Sequence, residues 1–372
     1  MTSLMLYLLC LTLTVAMARY SYTGTVANCH TGKALSIEGR RLFVDIRSFY
    51  AVIGFIPLWV VIAFRDLTVG DDAKGTQYYI FRRIAQGAPY DSKAFGSEIG
   101  YYLLNRVCVE VGGSYHLVLI VTGTISWLLF YNYIIKNSRM PDLSYIVFFL
   151  NFYYFHQFNV MRQFLACGFI LLGFECLKKG NVIKYIFLIG IATTFHYTAI
   201  IALPFLFLRK MKIDIKSAIT FIVVSKIGFG ALNLFLDYIL QGTRYYAILK
   251  DPRAYENGYL LLEIAVSVSI FAIACFVRRQ ADEDEDYNFN MWLQTLSVIV
   301  AINSNIIPIP YRIIWYMNLN NMIFVPELII RLRNKKNGII AQAYLTVMHI
   351  SYFIYAWVSN VDAVQTYSFW KH

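Results

Sequence analysis

The segment 116–135, HLVLIVTGTISWLLFYNYII, contains no Asp, Glu, Lys or Arg. A helix needs about 20 such residues to cross a bilayer. Of the 372 residues of the chain, 58% are hydrophobic and only 15% charged, whereas a soluble domain is nearer half apolar and a quarter charged. The mean hydropathy is +0.53. This composition excludes a disordered chain, a nucleic-acid-binding arm and an ordinary cytosolic enzyme, and it indicates a polytopic membrane protein.

Outward from this segment, the apolar runs predict an all-α fold of about 12 transmembrane helices in one integral membrane domain, 1–372. The runs cover approximately residues 3–19, 49–64, 116–135, 143–159, 163–177, 182–194, 196–208, 217–236, 259–277, 291–308, 313–330 and 338–358. Ala16-Met17-Ala18 resembles a signal-peptidase site, so the first run could instead be a cleaved signal. The absence of a basic residue from Met1-Thr2-Ser3 favours a retained helix.

The positions of the basic residues predict the orientation. Dense groups such as Arg209-Lys210-Met211-Lys212 occupy short loops, which places those loops inside the cell. Both termini then lie outside, together with the loops 65–115 and 237–258. We expect the loop 65–115 to be partly helical and to lie on the membrane surface. The net charge of +11 is therefore explained by topology and by sites for anionic ligands, and no nucleic acid is expected.

Several familiar motifs are missing from the sequence. The six cysteines form no CxxC pair, which argues against a disulfide framework or a zinc site. The chain has no Walker A, GxGxxG, HExxH or GxSxG motif, and no DxD-type triplet in a predicted outside loop. ATP hydrolysis, nicotinamide redox chemistry and zinc peptidase chemistry are thus unsupported, and we expect neither a metal nor a cofactor.

Two polar clusters lie in the predicted loop 65–115. In the first, Gly70 permits a tight turn that can aim Arg65 and Asp71 back toward the membrane, with Tyr78 following. A solvated loop is the alternative. In the second cluster, Glu98, Tyr101 (with Tyr102 beside it) and Asn105 share one helix face. A carboxylate beside tyrosines suits sugar hydroxyls, and it also suits an ordinary interfacial helix.

Three further clusters lie at predicted outside ends of spans. His156, Asn159 and Gln163 share a face if their helix is continuous, and Arg162 beside them is costly at membrane depth unless it is paired. Its guanidinium can bind phosphate or can snorkel to the headgroups. His196 lies among hydroxyl groups where a proton carrier is useful, or it is structural. The remaining cluster is cationic and aromatic, and its members are Arg244 and Arg312 with Tyr311 and Tyr316.

Together these clusters fit a substrate that carries phosphates and hydroxyl groups at the membrane surface. Four arginines, Arg65, Arg162, Arg244 and Arg312, are candidates for binding a diphosphate. The aromatic and amide side chains are candidates for binding sugars, namely Tyr78, Tyr101, Asn159, Gln163, Tyr311 and Tyr316.

The order and spacing of these motifs carry a resemblance. They are Arg65-Asp66-x3-Gly70-Asp71, Glu98-x-Gly100-Tyr101 with Asn105, Asn159-x2-Arg162-Gln163-x2-Ala166, and Phe195-His196-Tyr197-Thr198-Ala199. In them the chain resembles the EpsG family of bacterial exopolysaccharide proteins, regarded as Wzy-like polysaccharide polymerases. The resemblance spans most of residues 45–320, and the far C-terminus adds little to it.

The resemblance implies a GT-C-like or Wzy-like multipass glycosyltransferase of the bacterial cytoplasmic (inner) membrane. Its donor and acceptor would be oligosaccharide repeat units on undecaprenyl diphosphate, joined at the outer face into exopolysaccharide, capsule or O-antigen. A chain-length regulator is a further expected partner. Arg162 and Arg312 would bind the diphosphate, with Arg65 a third candidate, and Asp71, Glu98 or His196 would act as the general base. Arginines that stabilise the departing diphosphate can replace a metal.

Two other classes remain open on the sequence. A lipid-linked-glycan flippase or transporter would also have many spans and arginine-lined cavities, but it predicts internal repeats and charges near span centres, where we find only Lys226. A membrane O-acyltransferase would need a histidine deep in a span, for which His156 and His349 are candidates.

Overall fold

A computed structural model describes residues 2–27, 36–37, 40–41, 46–91, 98–239, 241, 246, 250–251, 260–278, 284–332 and 338–371. The predicted diphosphate ligand Arg244 lies outside the described residues, as does most of the predicted loop 237–258. The described chain is helical except for one short antiparallel ribbon, in which Ser36 pairs with Arg41 and Ile37 with Arg40. The all-α prediction is therefore confirmed.

The helices follow one another with short connections. They are α1 (Ser3–Ala27), α2 (Ile46–Ala63), a π-helical turn (Ala73–Gln77), α3 (Tyr78–Ala85), α4 (Ile99–Glu110), α5 (Tyr115–Asn137), α6 (Pro141–Leu150), α7 (Tyr153–Asn159), α8 (Met161–Lys178), α9 (Val182–Phe195), a 3₁₀ turn (Tyr197–Ala202), α10 (Phe205–Leu208), α11 (Ile215–Ile239), α12 (Leu260–Arg278), α13 (Glu285–Ile302), α14 (Pro310–Asn318), α15 (Asn321–Leu332), α16 (Gly338–Val358) and a 3₁₀ turn (Val361–Ala363).

The chain divides into two compact units. The first unit contains Met1–Gly173, Ile186–Ile200 and Trp357–His372, and the second contains Phe174–Tyr185 and Ile201–Ala356. In the first unit, the predicted loop 65–115 is partly helical, as expected. One side of α3 and α4 is buried against the start of α5, with Ile80, Ile84, Tyr101 and Tyr115 in the shared core.

Four described helical stretches are long and apolar enough to cross a membrane. They are Ser3–Ser21, Tyr115–Asn137, Leu261–Arg278 and Gly338–Val358. A fifth is obtained if α14 and α15, which meet at an angle of 52°, count as one broken span. Shorter apolar helices are Phe49–Ala63, Pro141–Leu150, Val182–Phe195 and Tyr197–Leu208. The structure supports a helical membrane protein, while a total of twelve spans stays a prediction.

Several predicted spans are wrong as continuous helices. The run 143–159 is interrupted after Leu150, because Phe152 adopts a left-handed conformation with φ 62° and α7 starts in a new direction. The expected continuous helix through His156 and Gln163 is also wrong, since Val160 (φ −89°, ψ 48°) separates α7 from α8. Hydropathy records the length of an apolar run and is insensitive to such a backbone break. The predicted runs 196–208, 291–308 and 313–330 are interrupted as well.

Ion pairs in the second unit join segments that the sequence assigns to inside loops. Asp286, at the start of α13, contacts Lys178 at 3.3 Å and also pairs with Arg209. Asp284 accepts a hydrogen bond of 2.5 Å from Arg331. These contacts gather four basic or acidic loop segments that are far apart in the sequence.

Candidate active site

Three of the predicted site residues meet in the first unit around the Glu98 carboxylate. Arg162 Nη1 donates a hydrogen bond to Glu98 Oε2, and His196 Nδ1 lies 2.6 Å from Glu98 Oε1. The side chains of Glu98, Arg162 and His196 are 8%, 23% and 14% exposed. Each carboxylate oxygen therefore has its own partner in a site that is largely, but not completely, closed to solvent.

Local backbone features bring these three side chains together. Glu98 immediately precedes α4, and its carboxylate makes no capping bond to that helix. Arg162 lies in the first turn of α8, just after the break at Val160, and His196 follows the last residue of α9. Gly100 lets α4 approach α9 closely, because a Cβ there would collide with the Thr194 side chain. The sequence thus uses helix ends for the reactive groups and a glycine for their approach.

The predicted polar face of α4 is confirmed. Tyr101 and Asn105 are buried on the same side as Glu98. The Arg162 guanidinium carbon lies 5.7 Å from the centre of the Tyr101 ring, a distance at which the ring attracts a cation. Burial raises the pKa of Tyr101 to about 12, with Arg162 opposing the shift, so the phenol is neutral at pH 7. Tyr101 therefore supports the guanidinium from below, and only 2% of it is exposed.

The arrangement can perform two kinds of chemistry. A carboxylate at Nδ1 holds the imidazole so that Nε2 is the atom left to accept a proton. A guanidinium has five N–H donors, and the bond to Glu98 uses one of them. Because nearly a quarter of the Arg162 side chain is exposed, the remaining donors can reach an anionic ligand.

Arg65 is in a different situation from Arg162. Only 1% of it is exposed, and it donates to the backbone carbonyls of Ile62 at 3.0 Å and Phe158 at 3.1 Å. Its guanidinium also lies over the Phe158 ring at 4.8 Å. Arg65 thus ties the end of α2 to α7, and we leave it out of the proposal below.

The predicted tight turn at Gly70 is confirmed. Gly70 has φ +95°, and a Cβ there would lie 2.6 Å from the Phe158 carbonyl oxygen. Asp71 beyond the turn is exposed. The next backbone N–H, that of Asp72, donates to Asn159 Oδ1 at 2.7 Å. The turn therefore places one candidate base, Asp71, in solvent and fixes its neighbour against α7.

Sequence reasoning missed Asp362. This residue is 8% exposed, accepts a hydrogen bond from Asn159 Nδ2 at 2.9 Å and lies 2.5 Å from His156 Nδ1. Both ends of the Asn159 amide are thereby used inside the protein. Asp362 is 206 residues from His156 in the sequence, so no local spacing indicates the contact.

The other predicted ligands are placed as follows. Gln163 is fully buried, and Tyr78 is half-buried with its ring 5.4 Å from that of Tyr115. The second unit contains the remaining three, Arg312, Tyr311 and Tyr316. Arg312 and Tyr311 are half-buried in the first turn of α14, and Tyr316 is buried. The binding roles of these residues stay predictions.

The fold and the site define a class: a helical membrane protein with an arginine–carboxylate–imidazole centre. The family can also be stated. The model of the EpsG family matches residues 48–369, and the chain belongs to this family. Membership indicates an exopolysaccharide-related, polymerase-like role of the glycosyltransferase type. No curated protein and no solved structure gives a match. The match extends past the predicted limit of 320, so the C-terminal segment with Asp362 belongs to the family's fold.

Proposed function

We propose that this protein polymerises oligosaccharide repeat units carried on undecaprenyl diphosphate, at the outer face of the bacterial cytoplasmic membrane. The observation that carries the proposal is the shared carboxylate: Glu98 binds both the His196 imidazole and the Arg162 guanidinium. A proton acceptor and an anion-binding group within one cluster are the two elements that transfer from a diphosphate donor requires.

In the proposed reaction, a hydroxyl group of the acceptor sugar attacks the anomeric carbon of the donor. The new glycosidic C–O bond forms while the bond from that carbon to the diphosphate oxygen breaks. His196 Nε2 receives the hydroxyl proton, and Glu98 stabilises the resulting imidazolium at Nδ1. Undecaprenyl diphosphate leaves with the bonding electron pair, and Arg162 stabilises its negative charge. Glu98 thus orients the base, and His196 is the base itself.

The distribution of the site residues supports the proposed side of the membrane. Glu98, Arg162 and His196 all lie at span ends or loops that the basic-residue pattern assigns to the outside. The ion pairs of Asp284 and Asp286 connect segments assigned to the inside. Each group of contacts therefore draws its members from one predicted side.

A flippase or transporter is the second candidate, and one observation favours it. The bend of 52° between α14 and α15 occurs beside three buried asparagines, Asn318, Asn320 and Asn321. Broken membrane helices with polar groups at the break are typical of transporter binding sites. The second unit therefore has a feature that a polymerase mechanism does not require.

A deletion strain, complemented with variants, separates the two candidates. Loss of a polymerase leaves single repeat units on the lipid carrier at the outer face, whereas loss of a flippase leaves them at the cytoplasmic face. Arg162→Ala should abolish polymer at an unchanged protein level. Arg106→Ala is a matched control, because Arg106 forms an exposed pair with Glu110 at 2.7 Å on α4. Polymer of normal length from the Arg162→Ala strain would show that the site assignment is wrong.

A further inference from the structure

The C-terminal segment of the first unit packs against the loop that follows α2. The backbone N–H of Asp66 donates to Ser368 O at 2.9 Å, and that of Trp370 donates to Phe64 O at 3.0 Å. Arg65 and Phe369 thereby form an antiparallel bridge. The segment is thus an additional strand-like partner of the site loop.

The same segment contains a run of unusual backbone conformations. Asn360, Asp362 and Ala363 have φ values of 49°, 67° and 51°. The left-handed region is sparsely populated by residues other than glycine, and it persists where the surroundings over-determine it. Here the conformation points the Asp362 carboxylate into the protein, where both its oxygens have partners on α7.

Those partners lie just before Arg162. His156 and Asn159 are one turn apart on α7, and Val160 then interrupts the helix. Arg162 follows two residues later, in the first turn of α8. Because the break removes the continuous helical hydrogen bonding that would otherwise set the direction of α8, side-chain contacts must hold the junction. The two bonds of Asp362 are contacts of this kind.

We infer that Asp362 is a positioning residue, which holds the α7–α8 junction through His156 and Asn159 and thereby directs Arg162 toward its ligand. This inference rests on the proposed function, since it takes Arg162 as the group that binds diphosphate. Charge-assisted hydrogen bonds are about twice as strong as neutral ones, so removing only the charge of Asp362 should loosen the junction. A misplacement of about 1 Å by a remote mutation can weaken an enzyme by about a hundredfold.

The test is a double-mutant cycle on the full chain in lipid nanodiscs, with undecaprenyl diphosphate as the binding probe. Asp362→Asn keeps the size of the side chain and tolerates the left-handed backbone. We expect it to weaken binding about tenfold in the wild-type background and to have no further effect in the Arg162→Ala background. The loss in one background only is a result that general destabilisation would not give.

Asp66→Asn is the matched control. Asp66 also adjoins the C-terminal segment, but its carboxylate bonds only to Thr68, so binding should be unchanged. If Asp362→Asn does not accumulate as folded protein, His156→Gln removes one of the two contacts and is subject to the same criterion. Equal losses in both backgrounds would overturn the inference while leaving Arg162 as a diphosphate ligand. Unchanged binding in Arg162→Ala would instead overturn the proposed role of Arg162 and, with it, the inference.

Discussion

Replacing Glu98 by Gln changes the centre of the proposed site with little change in its shape. Glutamine keeps one carbonyl oxygen and puts an amide NH₂ in the place of the other. The carbonyl oxygen can accept from Arg162 or from His196, but the amide group is a donor toward the remaining partner. One of the two contacts is therefore lost, and both lose their negative charge.

The structure sets the size of two separate effects. Removing one member of a buried ion pair costs about 3–5 kcal/mol, because the other charge stays buried without compensation. Arg162 is 23% exposed, which puts the expected loss in stability at about 3 kcal/mol or less. The catalytic effect is larger, since a general base that loses its orientation forfeits a factor of about 10²–10⁴ in rate. Activity should thus fall far more than the amount of folded protein.

Two measurements on the same membranes separate these effects. Polymer formation from lipid-linked repeat units gives the rate, and thermal unfolding of the purified protein gives the stability. Glu110→Gln is the matched control, because it neutralises an exposed carboxylate that pairs with Arg106 on the same helix. The reasoning is refuted if Glu98→Gln forms polymer at the wild-type rate, or if its loss of rate equals its loss of folded protein.

Three further predictions concern stability. Gly70→Ala should destabilise the protein by several kcal/mol, whereas Gly87→Ala, at φ +84° with open space around it, should cost only about 1–2 kcal/mol in thermal unfolding. The pKa of Asp66 is lowered, first of all by the backbone hydrogen bond it accepts, so its contribution to stability is present above about pH 4 and is lost as the pH falls further. The unfolding temperatures of wild type and Asp66→Asn should therefore converge at low pH. Asp286→Ala should destabilise more than Glu285→Ala, about 1–2 against less than 1 kcal/mol, because Asp286 has two basic partners and Glu285 is 80% exposed.

The parts of the site that local spacing determines were predictable. The buried face of α4 follows from the positions of Glu98, Tyr101 and Asn105, since i, i+3 and i+7 always share one side of a helix. The turn at Gly70 follows from the conformational freedom of glycine. The energetic cost of an unpaired Arg162 predicts that a partner exists, but it does not say which of several outside carboxylates is that partner.

Long-range contacts and backbone breaks were not predictable in this way. Asp362 meets His156 across 206 residues, and neither hydropathy nor helical periodicity relates two positions so far apart. Phe152 is an ordinary residue of an apolar run, yet its left-handed conformation ends one helix and redirects the next. The burial of Arg65 was missed for a similar reason, because its partners are backbone carbonyls, which have no sequence signature.

The shared carboxylate has a consequence for the order of events in the proposed reaction. Before the donor binds, Glu98 neutralises Arg162, so the site does not contain an uncompensated cation in a largely buried position. A diphosphate carries more negative charge than one carboxylate and matches the guanidinium fork, and it therefore displaces Glu98 from Arg162. Glu98 then interacts with His196 alone, and its full charge favours the protonated imidazole. His196 thus becomes a stronger base when the leaving group is in place, which couples proton removal from the acceptor to the presence of a donor.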